Sequence, residues 1–187
     1  NAGRAWLHRL GHEVFHGRVD LGTAAARVLG AIGWYIKTRA AYDRFFELDP
    51  ESPRSFYEWG GLRYFLYEHE LALSGFRQVR LSWRRLHERQ PKTTIEHVLP
   101  QTPSDPYWDT FDAEARRIYT HDLGNLCLTE DNSSYGNKPF PAKRGEAGST
   151  ARCYATSNLF SERALAQSTA WTPATVLARR AELVAWA

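Results

Sequence analysis

Residues 93–143, TTIEHVLPQTPSDPYWDTFDAEARRIYTHDLGNLCLTEDNSSYGNKPFPAK, are the part of this chain that decides its fold class and its chemistry. A β-branched run ends in a Glu-His pair at 96–97, and Pro100 follows shortly afterwards. Leu-Gly-Asn-Leu at 123–126 opens a short apolar segment, and Asn132 and Asn137 follow in a polar segment that contains glycine. A histidine followed by asparagines in this order predicts a phosphodiesterase site built on one metal ion.

Hydrolysis of a phosphodiester needs an activated water, neutralisation of the phosphate charge and help for the leaving oxygen. His97 suits the first task because imidazole titrates near neutral pH, and the amide carbonyl of Asn125 is expected to hold it in one tautomer. Mg²⁺ accepts oxygen ligands and keeps several waters, so one carboxylate and one amide oxygen could suffice. The candidate metal ligands are Glu96, His97, Asn132 and Asn137, with Mg²⁺ or Mn²⁺ as the expected cofactor.

The spacing of these residues sets two geometric conditions. Neighbouring residues of a strand point to opposite faces, so Glu96 and His97 can share a site only at a bulge or a strand end. If residues 132–137 form an α-helix, Asn132 and Asn137 lie roughly 140° apart around its axis. One of them is then a ligand, with Asn132 favoured, and the other braces the backbone or contacts DNA.

Four motifs, IEHVLPQ, HDLGNLCL, NSSYGN and KPF, occur in this order. Together they resemble the HNH (His-Me finger) nuclease domain of GmrSD-like modification-dependent restriction enzymes. Closely similar domains end the SspE-like proteins of phosphorothioate-linked phage defence. The resemblance covers residues 93–143 and extends weakly to GLRYFLYEHE upstream and to the terminal TPATVLARRAELVAW.

The resemblance implies a ββα-metal fold with strands at 93–99 and 126–129 and a helix after Asn132. It implies that His97 is the general base, that Asn125 orients this base or its loop, and that Asn132 is the counterpart of the closing His or Asn. Glu96 stands where many relatives carry an Asp or His metal ligand. The zinc-binding cysteine pairs of many HNH domains are absent from this sequence, so packing alone is expected to hold the finger, with Cys127 buried.

Hydrophobic periodicity predicts mainly helices outside the two strands. Helices are expected at 4–16, 21–44, 56–73, 112–119, 158–167 and 172–187, and the basic run 76–92 fits either helix or strand. The expected fold is mainly α, a helical bundle around a short β-hairpin with the small ββα-metal core. The expected domains are a helical subdomain at 1–91 and, at 92–187, an HNH nuclease core (93–144) with C-terminal packing helices.

Composition places few limits on function. The 187 residues are 43% hydrophobic, enough for one globular domain or two small ones. The net charge of +3 is compatible with nucleic-acid binding without indicating it. Two cysteines give no disulfide framework, and no apolar run is long enough for a membrane span, so a cytoplasmic location is expected. The chain begins with Asn and contains no Met, so a fragment of a longer protein is expected.

Basic side chains near the site supply the candidate DNA contacts. These are Arg84, Arg85, Lys138 and Lys143. The competing interpretation is that they are ordinary solvated charges, since exposed Lys and Arg are common. His121 poses a similar choice between a second base or metal ligand and, favoured here, a structural hydrogen-bonding residue.

A second motif upstream suggests a different chemistry. HEVFH at 12–16 matches HExxH, which on a helix places two histidines on one face for zinc, with the glutamate as the base of a peptidase. Such a site needs a third ligand, and the next histidine, His69, lies in an aromatic stripe. A chance match on a surface helix is the favoured interpretation.

The leading hypothesis is a metal-dependent DNA endonuclease, acting as the C-terminal effector of a bacterial restriction or anti-phage defence protein. One finger carries one active site, so a monomer is expected to nick. An upstream domain of the same chain would provide sensing, and the resemblance implies nucleotide hydrolysis there. The alternative is a catalytically inactive DNA-binding or regulatory module with the same fold.

Overall fold

A computed structural model describes residues 2–35, 39–75, 82–90 and 94–187. The chain divides into two compact units, 1–47 and 48–187. The division therefore falls before the position 91/92 expected from the sequence, and the described helices between 48 and 90 pack in the same unit as the candidate site. One contact that joins these helices to the C-terminal part of the unit is a long-range helix cap. The Glu70 carboxylate accepts hydrogen bonds from the backbone N–H groups of Phe160 (2.6 Å) and Ser161 (2.8 Å).

The first unit is helical. It contains α1 (Ala2–Phe15), α2 (Leu21–Tyr35) and α3 (Arg39–Phe45). Asp20 caps α2 by accepting a hydrogen bond from the backbone N–H of Thr23 at 2.9 Å, as a residue with a short carboxylate does at a helix start. The helix expected at 4–16 is present, and the one expected at 21–44 is described as α2 and α3, with residues 36–38 outside the described ranges.

The second unit begins with two helices. α4 (Leu62–Leu73) starts later than the predicted position 56, because residues 56–61 form turns and the backbone N–H of Phe56 bonds the carbonyl of His121 at 2.9 Å. α5 (Trp83–Glu88) resolves part of the ambiguous basic run as helix. Arg77, Arg80 and Lys92 of that run lie outside the described residues.

A two-stranded antiparallel sheet lies at the centre of the second unit. β1 (Ile95–His97) pairs with β2 (Leu126–Leu128), with Glu96 opposite Cys127. Every residue of both strands is buried. Cys127 is fully buried as expected, and burial raises the pKa of its thiol to about 12. The mainly helical fold with a small sheet is thus confirmed, with strands shorter than the predicted 93–99 and 126–129.

Short helices and aromatic side chains complete the core. α6 (Ala113–Tyr119) begins at the predicted cap Asp112, and the remaining helices are α7 (Phe140–Arg144), α8 (Phe160–Leu165) and α9 (Pro173–Trp186). The predicted cap of α9 is present, since Thr172 accepts from the backbone N–H of Thr175 at 3.3 Å. The largest fully buried side chains include those of Trp108, Trp171, Tyr135, Tyr154, Phe56, Phe111 and Phe140.

The last helix fixes the turn that precedes β2. A Cβ at Gly124 would lie 2.1 Å from the carbonyl oxygen of Val176, so only glycine permits α9 to approach this closely. Arg179 donates from one guanidinium nitrogen to the carbonyls of Gly124 (2.7 Å) and Leu126 (2.8 Å). Asp122 forms a buried ion pair with Arg180. The Leu-Gly-Asn-Leu motif is therefore held from behind by the C-terminal helix.

The helix expected directly after Asn132 is not formed. A three-residue 3₁₀ turn, Asn132–Ser134, stands there instead, and α7 begins only at Phe140. Gly136, whose φ of 49° lies outside the right-handed helical region, interrupts the backbone, and Pro139 disfavours helix at the residue before it. No described helix is both long and apolar enough to cross a membrane.

Candidate active site

A polar cleft of about 320 Å³ brings together all four residues predicted as metal ligands. Its lining consists of Glu96, His97, Pro100, Gln101, Thr102, Asn132, Gly136 and Asn137. We call Glu96 and His97 the strand wall, and residues 132–137 the asparagine turn. The two walls come from segments more than thirty positions apart in the chain, so their meeting is a product of the tertiary fold.

Glu96 and His97 share the cleft because β1 ends at His97. The pairing register is regular through this point, Glu96 opposite Cys127 and His97 opposite Leu126. A bulge or a strand end would let Glu96 and His97 share a site, and the structure has the strand end. Both side chains are nearly enclosed, with 1% and 5% of their surface exposed.

Lys143 holds the strand wall from within the protein. Its side chain is fully buried, and its ammonium donates to Glu96 Oε1 (2.7 Å) and to the carbonyls of His97 (2.9 Å) and Val98 (3.1 Å). All three of its protons are thereby used. The prediction that Lys143 contacts DNA is wrong, because its charge does not reach the surface.

The protein holds the Glu96 carboxylate by one of its two oxygens. Oε1 accepts from Lys143 and from the Tyr154 hydroxyl at 2.9 Å, and Glu96 lines the cleft. Burial raises the pKa of Glu96 to about 7, and the ammonium of Lys143 opposes this shift. Burial also lowers the pKa of Lys143, against the attraction of Glu96. The 2.7 Å contact between Lys143 Nζ and Glu96 Oε1 identifies an ion pair, which cross-links α7 to β1. From the sequence, packing alone is expected to hold this part of the fold.

His97 has partners on both ring nitrogens. Its Nε2 lies 3.1 Å from Nδ1 of His121, and its Nδ1 lies 3.3 Å from the amide nitrogen of Gln101. The Tyr57 ring packs against it at a centroid distance of 4.7 Å. Burial lowers the pKa of His97 to about 3, and the electrostatic influence of His121 and Lys143 acts in the same direction. The imidazole is therefore neutral at pH 7, as a general base requires.

Asn125 braces the loop after β1 and does not contact the imidazole. Its carbonyl oxygen accepts from the backbone N–H of Leu99 (2.7 Å) and from the indole of Trp171 (3.0 Å). Its amide nitrogen donates to the carbonyls of Leu99 and Thr120, each at 2.9 Å. All four hydrogen bonds of the amide are satisfied inside the core. The expectation that its side-chain carbonyl sets the tautomer of His97 is wrong, and its observed contacts match the loop-orienting alternative.

The asparagine turn brings both candidate asparagines to the lining of the cleft. The chain reverses at Gly136, whose φ of 49° lies in the left-handed region. The predicted separation of Asn132 and Asn137 around an α-helix therefore does not apply, and both residues line the same cleft. The turn is fastened to the core by Tyr135, which is 1% exposed and donates to Glu162 at 3.0 Å.

The oxygen donors of the cleft fit a hard divalent cation in kind. Carboxylate and amide oxygens are ligands that Mg²⁺ and Mn²⁺ accept, and the cleft has one carboxylate oxygen and two amides. The HExxH motif has less support. His12 and His16 lie on α1 with ring centroids 4.2 Å apart, but within the described ranges no group of three or more His, Cys, Asp and Glu side chains is arranged to hold a metal ion.

Two of the remaining DNA-contact candidates, Lys138 and Arg84, are exposed. Lys138 is exposed next to Asn137, and its ammonium donates to the Ser134 carbonyl at 2.7 Å. Arg84 is exposed on α5 and pairs with Glu88 at 3.0 Å. The side chain of Arg85 lies outside the described part of the structure. The DNA contacts of these three residues stay predictions.

Three residues of the site had no assigned role in the sequence. Tyr57 comes from the loop before α4, and Tyr154 from a 3₁₀ turn after α7. No local pattern marks either of them. Gln101 closes the IEHVLPQ motif, so its position was noticeable, but its contact with His97 depends on how the loop folds back after β1.

Comparison with known proteins gives one family. The sequence model of the family described as GmrSD restriction endonucleases, C-terminal domain, matches residues 37–186. No match was found among curated proteins or among solved structures. The matched range contains both walls of the cleft, the Tyr57 loop and the C-terminal helix that supports β2. The chain therefore belongs to the family of C-terminal domains of GmrSD restriction endonucleases.

Proposed function

We propose that this chain is a metal-dependent DNA endonuclease of the HNH type that nicks one strand, as the effector domain of a bacterial restriction or anti-phage defence protein. One observation carries the proposal. Glu96, His97, Asn132 and Asn137, which the sequence marks as the parts of a phosphodiesterase site, line one cleft of about 320 Å³. Membership of a restriction endonuclease family makes DNA the expected substrate.

In this proposal His97 is the general base. Its neutral imidazole takes a proton from the attacking water, which lies in the cleft on the side of Nδ1. Glu96 Oε2 and the amide oxygens of Asn132 and Asn137 hold Mg²⁺ or Mn²⁺. When bound, such an ion neutralises charge on the phosphate and on the leaving oxygen.

Buried residues keep this arrangement in place before DNA arrives. Lys143 fixes the backbone at His97 and Val98 while it holds Glu96 by its other oxygen. Asn125 fixes Leu99, the next residue of the same loop. A preorganised site of this kind loses little free energy to rearrangement during the reaction. Because one cleft acts on one strand, a monomer nicks, and a double-strand break needs two events or two copies.

A plasmid assay tests the proposal. Supercoiled DNA should become open-circular in Mg²⁺ or Mn²⁺, and EDTA should stop the reaction. His97→Ala should reduce the rate by about 10²–10⁴-fold, the usual contribution of a general base. His12→Ala is the control, since His12 lies on α1 in the first unit, and it should nick as the wild type does. Undiminished nicking by His97→Ala would remove His97 from the mechanism.

One observation favours a second function. The ammonium of Lys143 balances the charge of Glu96, which weakens the attraction of the cleft for a cation. A catalytically inactive DNA-binding module would tolerate this pairing without cost. Such a module should bind DNA with a steep salt dependence and leave the plasmid supercoiled at every metal concentration, so the same assay separates the two functions.

A further inference from the structure

His121 is the polar side chain that contacts the far side of the proposed base. Its Nδ1 lies 3.1 Å from Nε2 of His97, and the two rings are nearly perpendicular, with an interplanar angle of 81°. His97 and Gln101 line the cleft, and His121 does not. The two nitrogens of His97 therefore face different surroundings, Nδ1 towards Gln101 of the cleft lining and Nε2 towards His121.

The partners of His97 determine which nitrogen carries its proton. The amide nitrogen of Gln101 only donates hydrogen bonds, so Nδ1 of His97, 3.3 Å away, accepts. In a neutral imidazole the other nitrogen then carries the hydrogen. Nε2–H of His97 donates to Nδ1 of His121, and the basic lone pair of His97 is directed towards the cleft. A base in the opposite tautomer would present a hydrogen to the attacking water and could not accept its proton.

His121 is itself fixed by the loop before α4. Its carbonyl accepts from the backbone N–H of Phe56 at 2.9 Å. The Tyr57 ring stacks on its imidazole with an interplanar angle of 22° and a centroid distance of 5.8 Å, and the same ring packs on His97. Asp122, the next residue, is buried in an ion pair with Arg180. The backbone hydrogen bond, the stacked Tyr57 ring and the buried ion pair of the next residue together hold His121 in one orientation.

We propose that His121 is a positioning residue, which fixes His97 in the tautomer that carries hydrogen on Nε2 and keeps Nδ1 as the basic nitrogen, where the Gln101 amide gives way to the attacking water. The proposal rests on the proposed function for its catalytic consequence, but its structural content does not depend on cleavage. Tyr57 assists by holding the two imidazoles against each other. The role assigned from sequence to Asn125 is thereby divided, with Asn125 orienting the loop and His121 orienting the base.

The tautomer of His97 can be observed directly. In ¹⁵N-labelled protein with EDTA at neutral pH, long-range ¹H–¹⁵N correlation spectra distinguish a protonated from an unprotonated ring nitrogen. The wild type should show the hydrogen of His97 on Nε2. His121→Phe keeps a ring against Tyr57 but removes the acceptor, and it should populate the Nδ1–H tautomer. His121→Asn offers an amide oxygen near the position of Nδ1 and should restore the wild-type tautomer.

Cleavage supplies the second measurement. His121→Phe should lower kcat for plasmid nicking by roughly 10- to 100-fold, less than loss of the base itself, without changing the KM for DNA. His121→Asn should recover most of the rate. His69→Phe is a matched control, since His69 is a partly buried histidine that lines a different cavity, and it should change neither the tautomer nor kcat.

The outcomes separate this proposal from the proposed function. Hydrogen on Nδ1 of His97 in the wild type, or an unchanged tautomer in His121→Phe, overturns the positioning role whether or not the protein cuts DNA. An unchanged kcat in His121→Phe also overturns it. A tautomer that behaves as expected in a protein that never nicks supports the positioning role and rejects the nuclease.

Discussion

The two walls of the cleft are held by different means. The strand wall is buried, since an ion pair with the fully buried Lys143 fixes Glu96, and hydrogen bonds with His121 and Gln101 position His97. The asparagine turn lies at the surface, with Asn137 exposed and Asp131 accepting hydrogen bonds from the hydroxyls of Ser133 and Ser134. Its one deep anchor is Tyr135.

This difference separates the two tasks, base and metal ligand, that the proposed mechanism assigns to the cleft. A base needs a fixed direction and a dry surrounding, because both decide its protonation state. A metal ligand on an exposed turn keeps its amide accessible to water and to a hydrated ion. Substitutions in the strand wall should therefore change both stability and nicking, whereas substitutions in the asparagine turn should change metal use with little loss of stability.

The largest effect is expected for Lys143→Met, which keeps most of the buried volume and removes the charge. Glu96 is then left as an unpaired buried carboxylate, and breaking a buried ion pair in this way costs about 3–5 kcal/mol of unfolding free energy. Urea unfolding measures the loss. Lys138→Ala, at an exposed lysine next to the asparagine turn, is the matched control and should change stability by less than about 0.5 kcal/mol.

A double variant makes that test sharper. Glu96→Gln in the Lys143→Met background removes the stranded charge and should restore much of the stability, as replacement of both partners of a buried pair does. If Lys143→Met alone is as stable as the wild type, the strand wall does not depend on the ion pair and the contrast between the two walls is wrong.

A smaller effect is expected from pH, again on the strand wall. The pKa of His97 is lowered to about 3 in the folded protein by burial first, then by His121 and Lys143, and an unfolded histidine titrates near 6.5. Between these values the unfolded state binds the additional proton, so stability is lost as the pH falls from about 6.5 towards 3. His97→Asn should remove this contribution, at most about 1.4 kcal/mol per pH unit.

The wild type must be compared with His97→Asn because the titration of Glu96 changes the stability with pH in the opposite direction. Its pKa is raised to about 7 by burial, so the folded state binds its proton first and gains stability as the pH falls from 7 to about 4.5. Unfolding curves of the wild type and His97→Asn in EDTA isolate the histidine term by subtraction. Equal pH slopes in the two proteins would show that His97 is not buried as described.

The smallest change in stability is expected for Asn137→Ala, which alters an exposed side chain and should cost less than about 0.5 kcal/mol. The concentration of Mg²⁺ that gives half-maximal nicking should nevertheless rise by at least about tenfold, since a ligand matters at least as much as the residues that orient ligands. Asn158→Ala, at another exposed asparagine, is the control. A metal requirement that stays the same in Asn137→Ala would exclude this residue as a ligand.

Much of the fold could be predicted from local sequence signals. Asp112 and Thr172 cap the helices that follow them. The β-branched run that ends in Glu96 and His97 and the apolar segment at 126–128 form strands. These signals act between residues close in the chain. The start of α4 was predicted six residues too early at position 56, because Phe56 is drawn to the His121 carbonyl by a contact across the fold. Helix propensity depends on nearby residues and cannot predict a contact between distant parts of the chain.

Prediction of the site from the sequence meets the same limit. The Glu-His pair, Asn125 and the two asparagines were recognisable from their order and from a family resemblance, and the structure brings four of them into one cleft. Lys143 was assigned to the surface because an exposed lysine is the common case. Its burial could be recognised only with the carboxylate and the two carbonyls that satisfy its ammonium.

The sequence by itself determined which chemical groups this protein possesses and in what order: a carboxylate and an imidazole, then an asparagine, then two further asparagine amides. Tertiary structure alone decided their states. Burial raises the pKa of Glu96 and lowers that of His97, and His121, twenty-four residues from His97, meets it at 3.1 Å. Protonation and direction depend on neighbours that come from distant parts of the chain, because charge–charge interaction and desolvation act through space.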